Sequence, residues 1–104
     1  SVGFYTSIAF DAAGNPYVSY LDDEAGAGRL KVAWYVGSGG TCSSTAWSCT
    51  AVDNTGSRPG FYTSLAFDHS GAGFVTYRDE GTWQLKAMGK ARSFWLKCAI
   101  WQRH

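Results

Sequence analysis

One phrase occurs twice in this chain, and that repetition limits the possible folds more than any other feature. Gly3-Phe4-Tyr5-Thr6-Ser7-Ile8-Ala9-Phe10-Asp11 returns as Gly60-Phe61-Tyr62-Thr63-Ser64-Leu65-Ala66-Phe67-Asp68. Between residues 3–20 and 60–77, eleven of eighteen positions are identical and four more are conservative. The offset is 57 residues, falling to 55 where Leu30-Lys31 meets Leu85-Lys86. A fixed period of this length marks a repeated supersecondary unit, with each copy relying on a neighbour to cover its apolar face.

The residue types say which unit. Five Trp, six Tyr and six Phe stand among thirteen Gly, with only 16% charged residues. Aromatic and β-branched runs cut by glycine describe strands and turns, and no stretch carries helical periodicity. In the first repeat, strands are expected over 5–10, 17–21, 29–36 and 46–52. In the second they are expected over 62–67, 74–77, 83–88 and 94–101. Asp11-Ala12-Ala13-Gly14-Asn15-Pro16 has the composition of a turn, and Asp11 and Asp68 sit where a carboxylate caps backbone N–H groups. The shared register places Ile8 with Leu65, Phe10 with Phe67 and Val18 with Val75 in matching environments.

The fold class that follows is all-β. Two four-stranded antiparallel, blade-like repeats, about 3–56 and 60–101, form a single domain over 1–104. A four-stranded unit recurring at about this period is the pattern of a β-propeller blade, and propellers close with roughly four to eight blades. Two blades cannot close a ring, so the propeller is expected to be completed by oligomerisation. A trimer is favoured and a dimer comes next. No apolar run is long enough to span a bilayer.

Several of these stretches resemble a widespread family of bacterial and archaeal extracellular repeats. The likeness lies in Tyr5-Thr6-Ser7-Ile8-Ala9-Phe10-Asp11, Gly14-Asn15-Pro16-Tyr17-Val18-Ser19-Tyr20-Leu21-Asp22 and Leu30-Lys31-Val32-Ala33. Such repeats occur in tandem in proteins with sialidase-like β-propeller folds. The match covers nearly all of 3–56 and again 60–88, and weakens beyond. Larger members carry several repeats, so two suggest a natural oligomer or a fragment of a larger propeller protein. Two-blade lectins that trimerise into six-bladed rings are a precedent in architecture, not in sequence. The resemblance implies an extracellular or periplasmic location.

Enzymology does not come with the resemblance. Sialidase chemistry needs an arginine triad, a tyrosine nucleophile paired with a carboxylate, and an acid aspartate. Here Arg29, Arg58, Arg78, Arg92 and Arg103 are scattered. Asp79-Glu80-Gly81-Thr82-Trp83 approximates an Asp box one residue short, and that motif stabilises a turn. No catalytic residues, cofactor or metal are therefore expected. Asp22, Asp23 and Glu24 lack the spacing of a calcium loop, and the two histidines, His69 and His104, lack that of a zinc site.

Binding is the expected work, with a glycan the favoured ligand. Aromatic faces stack on sugar C–H surfaces while neighbouring polar groups take the hydroxyls. The candidate residues are Tyr20, Asp22, Trp34, Tyr77, Asp79 and Trp83. The competing reading is that these rings fill the inter-blade core. A structural or protein-interaction module is the alternative function.

Cys42 and Cys49 bracket a short loop, where a disulfide would pin the hairpin and imply an oxidising compartment. Two free thiols are the other reading, and Cys98 would have no partner within the chain. All eight acids lie within residues 1–83, whereas residues 84–104 carry Lys86, Lys90, Arg92, Lys97 and Arg103. That basic end fits the acidic part of a neighbouring copy, or simple solvation. No recognisable nucleic-acid motif accompanies it.

Overall fold

A computed structural model describes residues 2–23, 28–53, 58–91 and 94–103, with the side chains of the last stretch and of residue 91 left aside. Among the described residues every regular element is a strand. The first sheet is β1 (Val2–Phe10), β2 (Pro16–Asp22), β3 (Arg29–Tyr35) and β4 (Trp47–Asp53); the second is β5 (Phe61–Phe67), β6 (Gly73–Asp79), β7 (Gln84–Ala91) and β8 (Phe94–Arg103). Each is an antiparallel meander whose strand order follows the chain.

Each predicted strand is present, with ends that differ from the expected bounds by at most three residues. The expected caps are present. Asp11 Oδ1 accepts from the N–H groups of Ala13 and Asn15 at 3.0 and 2.9 Å. Asp68 Oδ1 accepts from Ser70 and Ala72 at 2.9 and 3.0 Å. These bonds hold both carboxyl groups below the usual aspartate range, with the Asn15 backbone bond leading at Asp11 and the Ser70 hydroxyl at Asp68. The same bulge also recurs: after Gly3 and Gly60 the chain turns left-handed at Tyr5 and at Tyr62, each with φ 55°. The register shifts there in both first strands. A bulky residue at positive φ is uncommon, so its recurrence marks a shared feature of the unit.

The sheets stack face to face, approaching most closely at β1 against β5. Alternation along a strand gives each sheet two faces, and the stacking joins unlike ones. The first sheet offers Tyr17, Leu30 and Val32; the second offers Leu65, Val75, Tyr77 and Met88, and together these make the core. Hydroxyl contacts stitch the same joint: Ser19 Oγ donates to Thr63 Oγ1 at 2.9 Å, and Leu65 N–H donates to Ser7 Oγ at 3.1 Å. Gly60 is needed here, because at φ 109° a Cβ would lie 3.0–3.1 Å from Arg29 O and Leu30 Cα.

Unlike faces overturn one expectation. Leu65 is 6% exposed and Val75 fully buried, yet Ile8, the twin of Leu65, is 59% exposed. Phe10 is exposed as well, whereas Phe67 packs against the core. The twins share a place in their sheets, but among the described residues the second sheet alone has a neighbouring sheet on that face.

Candidate functional site

The most developed polar constellation lies in the joint, built from three side chains of the second sheet and one of the first. Tyr77 and Lys86 face each other across β6 and β7, and Asp79 ends β6 on the same face. Lys86 Nζ lies 2.8 Å from Asp79 Oδ2 and 3.8 Å from Asp53 Oδ2. The Tyr77 hydroxyl donates to Asp53 Oδ2 at 2.6 Å. All four residues are buried.

A β-bulge delivers Asp53. Lys31 pairs with Ala51 while Leu30 pairs with Asp53, so the register slips by one residue between them. Unbroken alternation would turn residue 53 away from the second sheet; the extra residue turns it inward. Asp79 does a second job with its other oxygen. Its Oδ1 accepts from the N–H groups of Gly81 at 2.9 Å and of Thr82 and Arg58 at 3.2 Å. It therefore organises the β6–β7 turn, as expected of the Asp-box-like stretch. Burial raises the Tyr77 phenol far above the ordinary tyrosine range, and the hydrogen bond and charge of Asp53 add to the effect. A phenol so placed stays a donor at any physiological pH.

A twin of this node occupies the free face of the first sheet. Lys31 Nζ lies 2.7 Å from Asp22 Oδ2, and Lys31 faces Tyr20 across β2 and β3. Burial raises the Tyr20 phenol, with Lys31 opposing and Asp22 adding. Asp22 is buried, whereas Tyr20 and Lys31 are half-covered.

The six predicted ligand residues therefore divide instead of converging. Tyr77 and Asp79 are enclosed between the sheets. Tyr20 and Asp22 lie on the outer face of the first sheet. Trp34, expected to be free for a ligand, instead stacks on Tyr17 at 6.1 Å and packs against the core. Trp83 alone stands in solvent at 51% exposed, with the Arg78 guanidinium 4.6 Å from its ring centre. Asp53 and Lys86 were not among the predicted residues. The signal for Lys86 was present, because Tyr20, Asp22 and Lys31 all recur as Tyr77, Asp79 and Lys86. Asp53 depends on a bulge that its sequence does not announce.

The Cys42–Cys49 disulfide is formed, with Cα atoms 5.3 Å apart, closing the β3–β4 connection. Thr41 Oγ1 reinforces it by accepting from Cys49 N–H at 3.0 Å. His69 is exposed, as its turn position implied. Glu24, Arg92 and His104 lie outside the described residues, as do the side chains of Lys97, Cys98 and Arg103. Among the described residues there is no cluster of three or more metal-ligating side chains and no helix long and apolar enough to cross a membrane.

Comparison with known proteins gives no relative: no family model, curated protein or solved structure matches the chain.

Proposed function

We propose that this chain is a non-enzymatic interaction module that supplies two blades of a β-propeller and completes the ring by binding copies of itself. One observation carries the reading. The two repeats pack through unlike faces, leaving one face of each kind uncovered on the flanks. Head-to-tail stacking of this kind can continue until a ring closes. Close approach at β1 and β5, the first strand of each sheet, fits blades whose first strands lie nearest an axis. The outer flanks carry exposed apolar side chains: Ile8 and Phe10 on one, Phe74 on the other, all at least 46% exposed. Exposed patches of this kind mark interaction sites. Three copies, giving six blades, is the assembly we favour, with two copies next. The disulfide is compatible with an extracellular or periplasmic setting.

Static and dynamic light scattering of the purified chain tests this directly. The expected mass is three times 11.3 kDa. A folded monomer at micromolar concentration would overturn the reading.

Glycan binding is a second reading, which the exposed Trp83 favours. Its indole, beside Arg78 and the Arg78–Glu80 ion pair at 2.8 Å, sets an aromatic face next to polar groups. A glycan array probed with wild type and Trp83→Ala should show signals that the variant loses. Equal signals from both would remove Trp83 from the account.

A further inference from the structure

We propose that the free face of the second sheet of one copy seats on the free face of the first sheet of the next, in the register of the joint already present within the chain. This rests on the self-assembly proposed above and specifies its partner surface and its alignment.

The repeat itself gives the argument. In the joint the first sheet presents Tyr5, Tyr17, Ser19 and Leu30. The twins of Tyr17, Ser19 and Leu30 at the repeat offsets are Phe74, Thr76 and Leu85, on the face of the second sheet that no described residue of the first sheet covers, and the twin of Tyr5 is Tyr62, at the edge of the joint. Tyr62 is 61% exposed, Phe74 46% and Leu85 40%, whereas Tyr17 and Leu30 are 8% and 0%. The second sheet answers in the joint with Phe61, Leu65, Val75 and Tyr77. The twins of Leu65, Val75 and Tyr77 are Ile8, Val18 and Tyr20, on the outer face of the first sheet. Ile8 is 59% exposed. The molecule thus carries on its two flanks the two halves of a contact it has already made once.

Aromatic packing points to the same alignment. In the joint, Tyr5 lies against Tyr62 with ring centres 4.5 Å apart and against Phe61 at 5.3 Å. Moved along by one repeat, Tyr62 of one copy meets Phe4 and Tyr5 of the next.

The polar node distinguishes the contact between copies from the one within the chain. Tyr20, Asp22 and Lys31 wait on the first sheet as Tyr77, Asp79 and Lys86 do in the joint. The bulge that delivers Asp53 recurs in the second sheet, where Lys86 pairs with Ile100 and Leu85 with Gln102. A second copy therefore brings position 102 to the place that Asp53 takes in the joint. In the sequence that position is Gln102, where the first repeat has Asp53. Asp22 and Lys31 already balance one another at 2.7 Å.

Two single variants test the register. Ile8→Glu places a charge on the free face of the first sheet, and Phe74→Glu on that of the second. Both positions are exposed within the chain, so circular dichroism should match wild type, while a charge buried in the contact blocks docking. Light scattering is then read at a concentration above that at which wild type assembles. Each variant alone should have a mass of 11.3 kDa, and an equal mixture should give a pair of twice that mass. The pair forms because each partner keeps the one face that the other needs. A variant that pairs with itself, or a mixture that stays monomeric while wild type assembles, overturns the register and leaves self-assembly standing. A monomeric wild type overturns both.

Discussion

The two sheets of this protein are near copies in sequence, yet they hold their polar nodes in opposite circumstances. Tyr77, Asp79 and Lys86 are sealed in a joint and tied to a carboxylate from the other sheet. Tyr20, Asp22 and Lys31 have the same residue types and the same strand positions, with Lys31 still 25% exposed at its side chain. Position in a repeat therefore sets which face a residue occupies, and the neighbouring sheet sets its environment.

Removing the cation should separate the two nodes most strongly. Lys86→Met leaves Asp79 and Asp53 buried without their ammonium partner, which costs about 3–5 kcal/mol for a broken buried pair. Lys31→Met should cost about 1 kcal/mol or less, as solvent still reaches that pair. Urea denaturation at one fixed protein concentration measures both, since assembly would otherwise add to the apparent stability. Equal costs would erase the distinction.

The disulfide provides a smaller contrast, confined to one sheet. Cys42→Ser with Cys49→Ser should destabilise the chain by about 2–3 kcal/mol through the lost loop closure. The bridge lies at the β3–β4 connection, away from the core residues, so the scattering mass should not change. In the second sheet β7 and β8 are joined through residues 92–93, and the second repeat has a single cysteine and so no pair to bridge them.

Next in size is the loss of one hydroxyl. Tyr77→Phe leaves Asp53 without that donor and should cost about 1–3 kcal/mol, the range for a disrupted buried hydrogen bond. Tyr20→Phe should stay within about 0.5 kcal/mol. The same phenol predicts an alkaline limit. Its pKa is raised on folding, so its contribution is full below the unfolded value of about 10 and declines as pH rises beyond that. Wild type should lose stability above that pH more steeply than Tyr77→Phe does, as read from denaturation midpoints across the alkaline range.

Much of this fold was legible because the strand signals are local. Gly, Asx and aromatic residues fall at intervals that leave little choice of element, and the duplicated phrase ties the second repeat to the first. Asp11 and Asp68 could be read as caps for the same reason, since each bonds to N–H groups two and four residues on. The site was less legible. Tyr77 and Asp79 stood out as candidate ligand residues, but their enclosure follows from which faces meet, and the alternation of two similar strands does not specify that. Trp34 looked free because it has no aromatic twin, yet its partner Tyr17 lies across the sheet at the facing position of β2. Asp53 reaches the node only through a one-residue slip between β3 and β4.

The central claim is that the two repeats are joined through unlike faces by Asp53 meeting the second sheet's node. A double-mutant cycle between Asp53→Ala and Tyr77→Phe, measured by urea denaturation, tests it most directly. Residues in direct contact couple by about 0.5–3 kcal/mol, and a buried 2.6 Å bond should lie in the upper part of that range. The parallel cycle with Tyr20→Phe should give no coupling, because Tyr20 faces away from Asp53. Full additivity for Tyr77 and Asp53, or equal coupling for both tyrosines, would contradict the account.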